Sequence, residues 1–191
     1  MSLAPSAWQR VSLKQTPASL WLNGGGQTHE LVAQPLGAWL WRASVAHVAC
    51  DGPFSHFANT QRHFAVIRGA GVRLHIEGAT HTVKPGETAL SFCGEQDCQC
   101  ELIGGPTLDF NLMTRAGTAR LERWPLTQTL PWITGQVAGV YACDATSLRH
   151  PSGQQWTLAP EDLLWTPHLP AAAWQIESRD ALVFAIVGSE P

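Results

Sequence analysis

Charge is scarce in this sequence. Only 14% of its 191 residues are charged, and the 12 basic and 15 acidic side chains, formally −3 together, form no block of one sign. Nothing along the chain would attract a phosphate backbone or an anionic membrane surface, so neither nucleic acid nor membrane is expected as a partner. No apolar run approaches the roughly 18 residues that span a bilayer; Ala181–Val187 is strand-sized. The N-terminus shows neither a basic region followed by an apolar run nor a small-residue cleavage signal. With an odd count of five cysteines, this places the expected protein in a reducing cytoplasm, and the thiols around Cys98-x-Cys100 are expected to be buried and inert.

Signatures of several chemistries are also missing. There is no His-x-His, so the imidazole pair that usually opens a cupin metal site is absent, and the spacings His56/His63 and His75/His81 match no known ligand set. No metal and no other cofactor is expected. Cys98-x-Cys100 near Cys93 lacks the paired C-x-x-C elements of a structural zinc site. There is no phosphate loop and no dinucleotide fingerprint, since Gly24, Gly25 and Gly26 are contiguous and no βαβ pattern follows. No G-x-S-x-G elbow supports Ser55-His56, or Ser91 with Cys93, as a nucleophile and its neighbour.

What is present points to sheet. Seventeen glycines, 13 prolines and nine tryptophans lie between short apolar runs, the pattern of many short strands and tight turns in a sandwich or barrel. Thr82 to Phe92, a turn feeding a strand, has an echo 75 positions later at Thr157 to Leu164. Glu101-Leu102 with Phe110 is matched by Gln175-Ile176 with Phe184. Two related β modules follow from this, residues 1–115 and 120–191, packed as one unit and joined by a crossing segment over 114–134.

The most informative strand is Thr107 to Met113. Leu108, Phe110 and Leu112 share one side, and Asp109, Asn111 and Met113 the other. The polar side lines a cavity, meets solvent, or is buried and must be hydrogen-bonded; the pattern leaves the three open. Asn23-Gly24-Gly25-Gly26 reads as a tight hairpin or bulge, or as a loop whose amides help form a pocket. Arg42, on a strand with Leu40 and Ser44 on its side, together with Arg62 and Arg115, offers planar donors for a carboxylate. Thr28, Glu30 and Asn111 could bond a polar function, while Asp109 and Glu30 could equally neutralise the arginines as structural ion pairs.

These residues carry a resemblance to the HutD/Ves family. It runs through Trp21-Leu22-Asn23-Gly24-Gly25-Gly26-Gln27-Thr28-His29-Glu30, then Trp41 to Ser44, Asp51 to Ser55, Arg62, Gly69 to Leu74, and Gly105 to Met113. Leu22 stands where members often carry lysine. The resemblance implies an all-β, two-module cupin-like fold, a bicupin barrel or sandwich of the RmlC-like jelly-roll type, without the metal histidines. It also implies a small-metabolite-binding, regulatory role in histidine catabolism, with a small carboxylate such as formylglutamate as ligand. The expected ligand-binding set is Thr28, Glu30, Arg42, Ser55, Arg62, Asp109, Asn111 and Met113, with Asn23 to Gly26 as motif loop. The alternatives are a metal-independent cyclase, isomerase or hydrolase of a small organic acid, and a Ves-like stress-response protein without activity. A homodimer through sheet edges is a further expectation.

Overall fold

The structure is a computed structural model, and it describes residues 8–124, 128–129, 136–169 and 174–188. Among these there is no α-helix; a single 3-10 turn, Leu13–Gln15, interrupts an otherwise all-strand chain. The strands fall into two compact units.

The first unit spans Thr16–Ala116. To keep one numbering along the chain, the N-terminal strand Gln9–Ser12, which belongs to the other unit, is β1. The first unit then contains β2 (Ala18–Leu20), β3 (Gly26–Gln34), β4 (Trp41–Val48), β5 (Gly52–Pro53), β6 (Gln61–Arg68), β7 (Val72–Ile76), β8 (Ala79–Val83), β9 (Leu90–Cys93), β10 (Cys98–Leu102) and β11 (Thr107–Thr114). They form a six-stranded sheet, β2-β3-β4-β11-β6-β9, and a four-stranded sheet, β5-β10-β7-β8. In β7 (Val-Arg-Leu-His-Ile) the apolar positions are buried and the polar ones are not, as a sheet with one wet face requires. In β4, β6 and β11 both faces are almost wholly buried. Phe64, Val66, Val72, Leu74 and Ile76 meet in one core cluster drawn from both sheets. The turn from β6 into β7 needs Gly69, whose φ of 104° is unfavourable for other residues and where a Cβ would stand 2.7 Å from Pro106 O.

The second unit holds β12 (Thr118–Trp124), β13 (Gln128–Thr129), β14 (Val137–Ala142), β15 (Thr146–Arg149), β16 (Gln155–Leu158), β17 (Asp162–Thr166), β18 (Gln175–Ser178) and β19 (Ala181–Val187). Its sheets run β1-β17-β14-β19-β12 and β13-β18-β15-β16. Eight strands after β5-β10-β7-β8 the same ladder order returns, and β9-β6-β11-β4 returns as β17-β14-β19-β12. The two sequence echoes fall on corresponding strands, β8–β9 with β16–β17 and β10–β11 with β18–β19.

Two features were not expected. Gln9–Ser12, assigned by sequence position to residues 1–115, pairs antiparallel with β17. The segment anticipated as a crossing between modules contains β12, a full strand paired with β19 from Thr118 to Trp124; residues 125–127 and 130–134 of that segment lie outside the described residues.

Candidate functional site

Antiparallel pairing of β4, β11 and β6 sets the site. Met113 is registered with Arg42 on one side and Arg62 on the other, and Arg62 is paired onward to Phe92. Two residues along β11, Asn111 is flanked by Ser44 and Phe64; two further, Asp109 by Ala46 and Val66. Alternate residues share a face, so the side chains of these three rows project together into the first unit. Val66 ends in the packed cluster. At the arginine end the packing opens into a cavity of about 590 Å³, with Arg42, Ser44, Arg62, Asn111 and Met113 in its wall.

Arg62 is 5% exposed. Its Nη2 donates to Asn111 Oδ1 at 3.0 Å and its Nη1 to Ser55 O at 3.5 Å, while Nε is buried without an acceptor. Among the described residues no carboxylate lies within ion-pair distance. The rings of Phe92, Phe54 and Phe57 stand 4.9, 5.0 and 5.6 Å from its guanidinium carbon. Burial pushes its pKa down to about 10, with Cys98 opposing and Arg42 reinforcing the shift. At neutral pH the group is therefore a cation, held by a neutral amide, a carbonyl and aromatic faces.

Arg42 is the second cation. Its Nε lies 3.6 Å from Glu30 Oε2, too far for a hydrogen bond. Burial lowers its pKa, the Glu30 charge opposes this and Arg115 adds to it. Its guanidinium carbon is 5.7 Å from the Phe57 ring and 5.9 Å from Trp39, and Arg115 stacks on the other partner of that pair, 3.8 Å from Trp39. Cations and rings thus alternate from Arg115 through Trp39, Arg42 and Phe57 to Arg62. The Phe54–Phe57 segment is fixed by its backbone: Phe54 N donates to Cys98 O and Phe57 N to Gly94 O.

The motif loop supplies the rim. Asn23 Oδ1 accepts from Gly25 N at 3.0 Å, and Gly24 N donates to Trp21 O. These two amides are spent inside the loop and do not reach the cavity. Gly26 is required by contact: a Cβ there would lie 2.4 Å from His47 O and 3.2 Å from the Trp21 ring. With Gly26 O accepting from Trp21 N, the hairpin holds Trp21 at the cavity wall, where its Nε1 donates to Thr28 Oγ1 at 2.8 Å.

Of the sequence candidates, Asn23, Thr28, Arg42, Ser55, Arg62, Asn111 and Met113 meet in this wall. Glu30 stands behind Arg42 and is not part of the wall, nor are Gly24, Gly25 and Gly26. Asp109 shares the face of Asn111 but lies below the cavity, wholly buried. There its Oδ2 accepts from Thr107 Oγ1 and its Oδ1 has no partner. Burial pushes its carboxyl up to about 7, the Thr107 hydroxyl opposing. His63 is on the opposite face of β6, with Nδ1 2.7 Å from Ser91 Oγ and its pKa lowered by burial. Burial raises the thiols of Cys98 and Cys100 to about 11 and about 12. Among the described residues no three His, Cys, Asp or Glu side chains gather as a metal site.

The sequence reading missed Trp39, Trp21, Phe54 and Phe57. Phe54 and Phe57 belong to no strand-like alternation in the sequence, and the signal there is two aromatic residues framing Ser55-His56. His56 also lines the mouth, its Nε2 2.9 Å from Asp97 Oδ1.

The second unit shows what the same ladder becomes without these residues. By register, Ala138 and Val183 hold the positions of Phe64 and Asp109, and Gln136 that of Arg62. Its interior is filled by Leu148, Leu164, Ile176, Trp124 and Trp174, with Trp8 and Trp156 packed against them. Among the described residues, the paired cations belong to the first unit alone.

The model of the HutD family matches residues 13–184. The sequence is 36% identical over 111 residues to an uncharacterised 21.2 kDa protein in the hutC 3′ region of Pseudomonas putida, covering 56% of this chain and 58% of that protein. It is 37% identical over 113 residues to protein Ves of Cronobacter sakazakii, covering 58% and 62%. The chain thus matches less than two thirds of the length of these curated relatives. HutD from Pseudomonas fluorescens SBW25 superposes with a TM-score of 0.81 at 27% identity, over 95% of this chain and 100% of that one. A cupin 2 conserved barrel domain protein from Leptotrichia buccalis superposes with a TM-score of 0.58 at 11% identity, over 96% and 98%, which marks the fold as cupin-like.

Proposed function

The chain belongs to the HutD family, and from that premise we propose that it binds a small carboxylate in the cavity of its first unit and acts as a regulatory protein of histidine catabolism. Arg62 carries the reading. A guanidinium left 5% exposed, with no carboxylate beside it among the described residues, is costly unless an anion arrives. It faces a cavity of ligand size, whose wall sets polar side chains such as Ser44, Ser55 and Asn111 among aromatic and aliphatic ones. Arg forks suit carboxylates, and an amide such as Asn111 holds the fork without neutralising it.

The pathway rests on family and context. The Pseudomonas putida relative is described by its place beside hutC, and the HutD structure from Pseudomonas fluorescens is of a formate condition, formate being a carboxylate. Formylglutamate is the ligand we assign, in a metal-free pocket of a bicupin jelly roll. Isothermal calorimetry with formylglutamate, glutamate, urocanate and histidine tests this: heat from formylglutamate is expected, and no heat from any of the four at millimolar concentration on folded protein overturns it.

One observation favours a second reading, a metal-independent enzyme acting on the same acid. His56 stands at the mouth with Nε2 held by Asp97, an arrangement in which imidazole can accept or deliver a proton. NMR of the bound acid over hours separates the two, since a binder returns it unchanged.

A further inference from the structure

The two cations of the cavity are not equivalent, and the difference lies in Glu30. Arg62 has a neutral amide for its partner, whereas Arg42 has a carboxylate oxygen 3.6 Å from Nε. That contact is an ion pair without a hydrogen bond, and among the described residues the Arg42 guanidinium makes no hydrogen bond. Glu30 is outside the cavity wall and about half exposed, so it can turn to water when something better meets Arg42. Each guanidinium carbon lies within 5.7 Å of the Phe57 ring centre, so the two are at most about 11 Å apart. A short chain with an acid group at each end spans that gap once both acids stand at hydrogen-bonding distance.

We infer that Glu30 is a specificity-determining residue: it holds Arg42 half-neutralised, so the cavity takes one acid group on Arg62 freely and a second on Arg42 only in competition with Glu30. A monoacid never meets Glu30. A diacid must displace it, and so binds less tightly than two open arginines would allow. Glu30 therefore reads the number of acid groups on the ligand while touching none of them. The residue reaches this place through a β3 irregularity: the ladder to β4 shifts between Glu30 and Val32, next to the Glu30–Ser44 pair. A bulge of that kind re-aims a side chain relative to its neighbours.

This rests on the carboxylate reading of the cavity, and the experiment separates the two. Butyrate and glutarate are titrated into the wild-type protein and into Glu30→Gln, which keeps the shape and removes the charge. The expected result is unchanged butyrate affinity and glutarate affinity tightened by about fivefold, the upper end of what a partly exposed ion pair is worth. Arg42→Met, the second variant, should bring glutarate down to the butyrate level. A role for Glu30 in shape alone would move both acids together. Equal shifts for the two acids, or no shift for either, overturn the assignment while leaving the carboxylate reading standing. Heat from neither acid, and none from formylglutamate, on folded wild-type protein overturns both.

Discussion

Arg62 Nη2 and Asn111 Oδ1 are 3.0 Å apart across the β6–β11 ladder, a charged donor buried against an acceptor that carries no charge. The amide oxygen satisfies one N–H and leaves the positive charge in place. Changing only that charge balance is possible with Asn111→Asp, which keeps the geometry and sets a carboxylate where the amide was. The internal pair should make an external anion redundant: glutarate affinity falls by on the order of a hundredfold, and thermal stability at pH 7 holds or rises. Calorimetry beside a melting curve reads both. Unchanged affinity would mean that the anion does not meet Arg62.

Arg62→Met approaches the same charge from the other side. Methionine fills the space among Phe54, Phe57 and Phe92 without a cation to desolvate. Carboxylate binding should disappear at millimolar concentration, with urea stability equal to or above that of the parent. A variant that binds normally, or one that unfolds, shows that Arg62 serves the fold and not a ligand.

The period-2 pattern of β11 was legible: Asp109, Asn111 and Met113 do share a face. Which way that face points was not, because the usual cue is a wet side, and Phe110 and Asp109 are both wholly buried. The flanking of Met113 by Arg42 and Arg62 depends on two ladders closed across about 50 residues or more, and no local pattern encodes such register. The repeat was legible because the same ladder order imposes the same turn and strand spacing 75 positions apart. Gln9–Ser12 was misplaced for the converse reason: its partner β17 lies some 150 residues away, and sequence neighbours said nothing of it.

Asp109 gives a pH dependence of known sign. Its carboxyl is raised to about 7 in the folded protein, first by burial, from an ordinary value near 4 in the unfolded chain. Between those values the folded state holds the proton more tightly, so stability is fullest below about pH 4 and declines as pH rises through 7, by ~4 kcal/mol at most. Asp109→Asn keeps an acceptor for Thr107 Oγ1 and has nothing to ionise. Urea denaturation at pH 5 and pH 8 should show the parent weaker at pH 8 and the variant level across the range. An equal pH response in both would assign the dependence to other groups.

The motif loop contains two glycines that are needed for different reasons, and the difference is measurable. Gly24 has φ 71° with open space around its missing side chain, whereas Gly26 lacks space and not conformational freedom: His47 O and the Trp21 ring occupy the position of a Cβ. Gly24→Ala should therefore cost about 1 to 2 kcal/mol of left-handed backbone strain and leave the cavity as it is. Gly26→Ala forces β3 from β4 or pushes Trp21 from the wall, costing about 1 to 3 kcal/mol as overpacking does. Because Trp21 Nε1 bonds Thr28 at the cavity wall, the second variant should also change tryptophan fluorescence and weaken carboxylate binding, while the first lowers stability alone. If both variants lose binding in proportion to stability, the loop matters to the site only through folding; if Gly26→Ala alone loses binding, the contact between Gly26 and Trp21 shapes the rim.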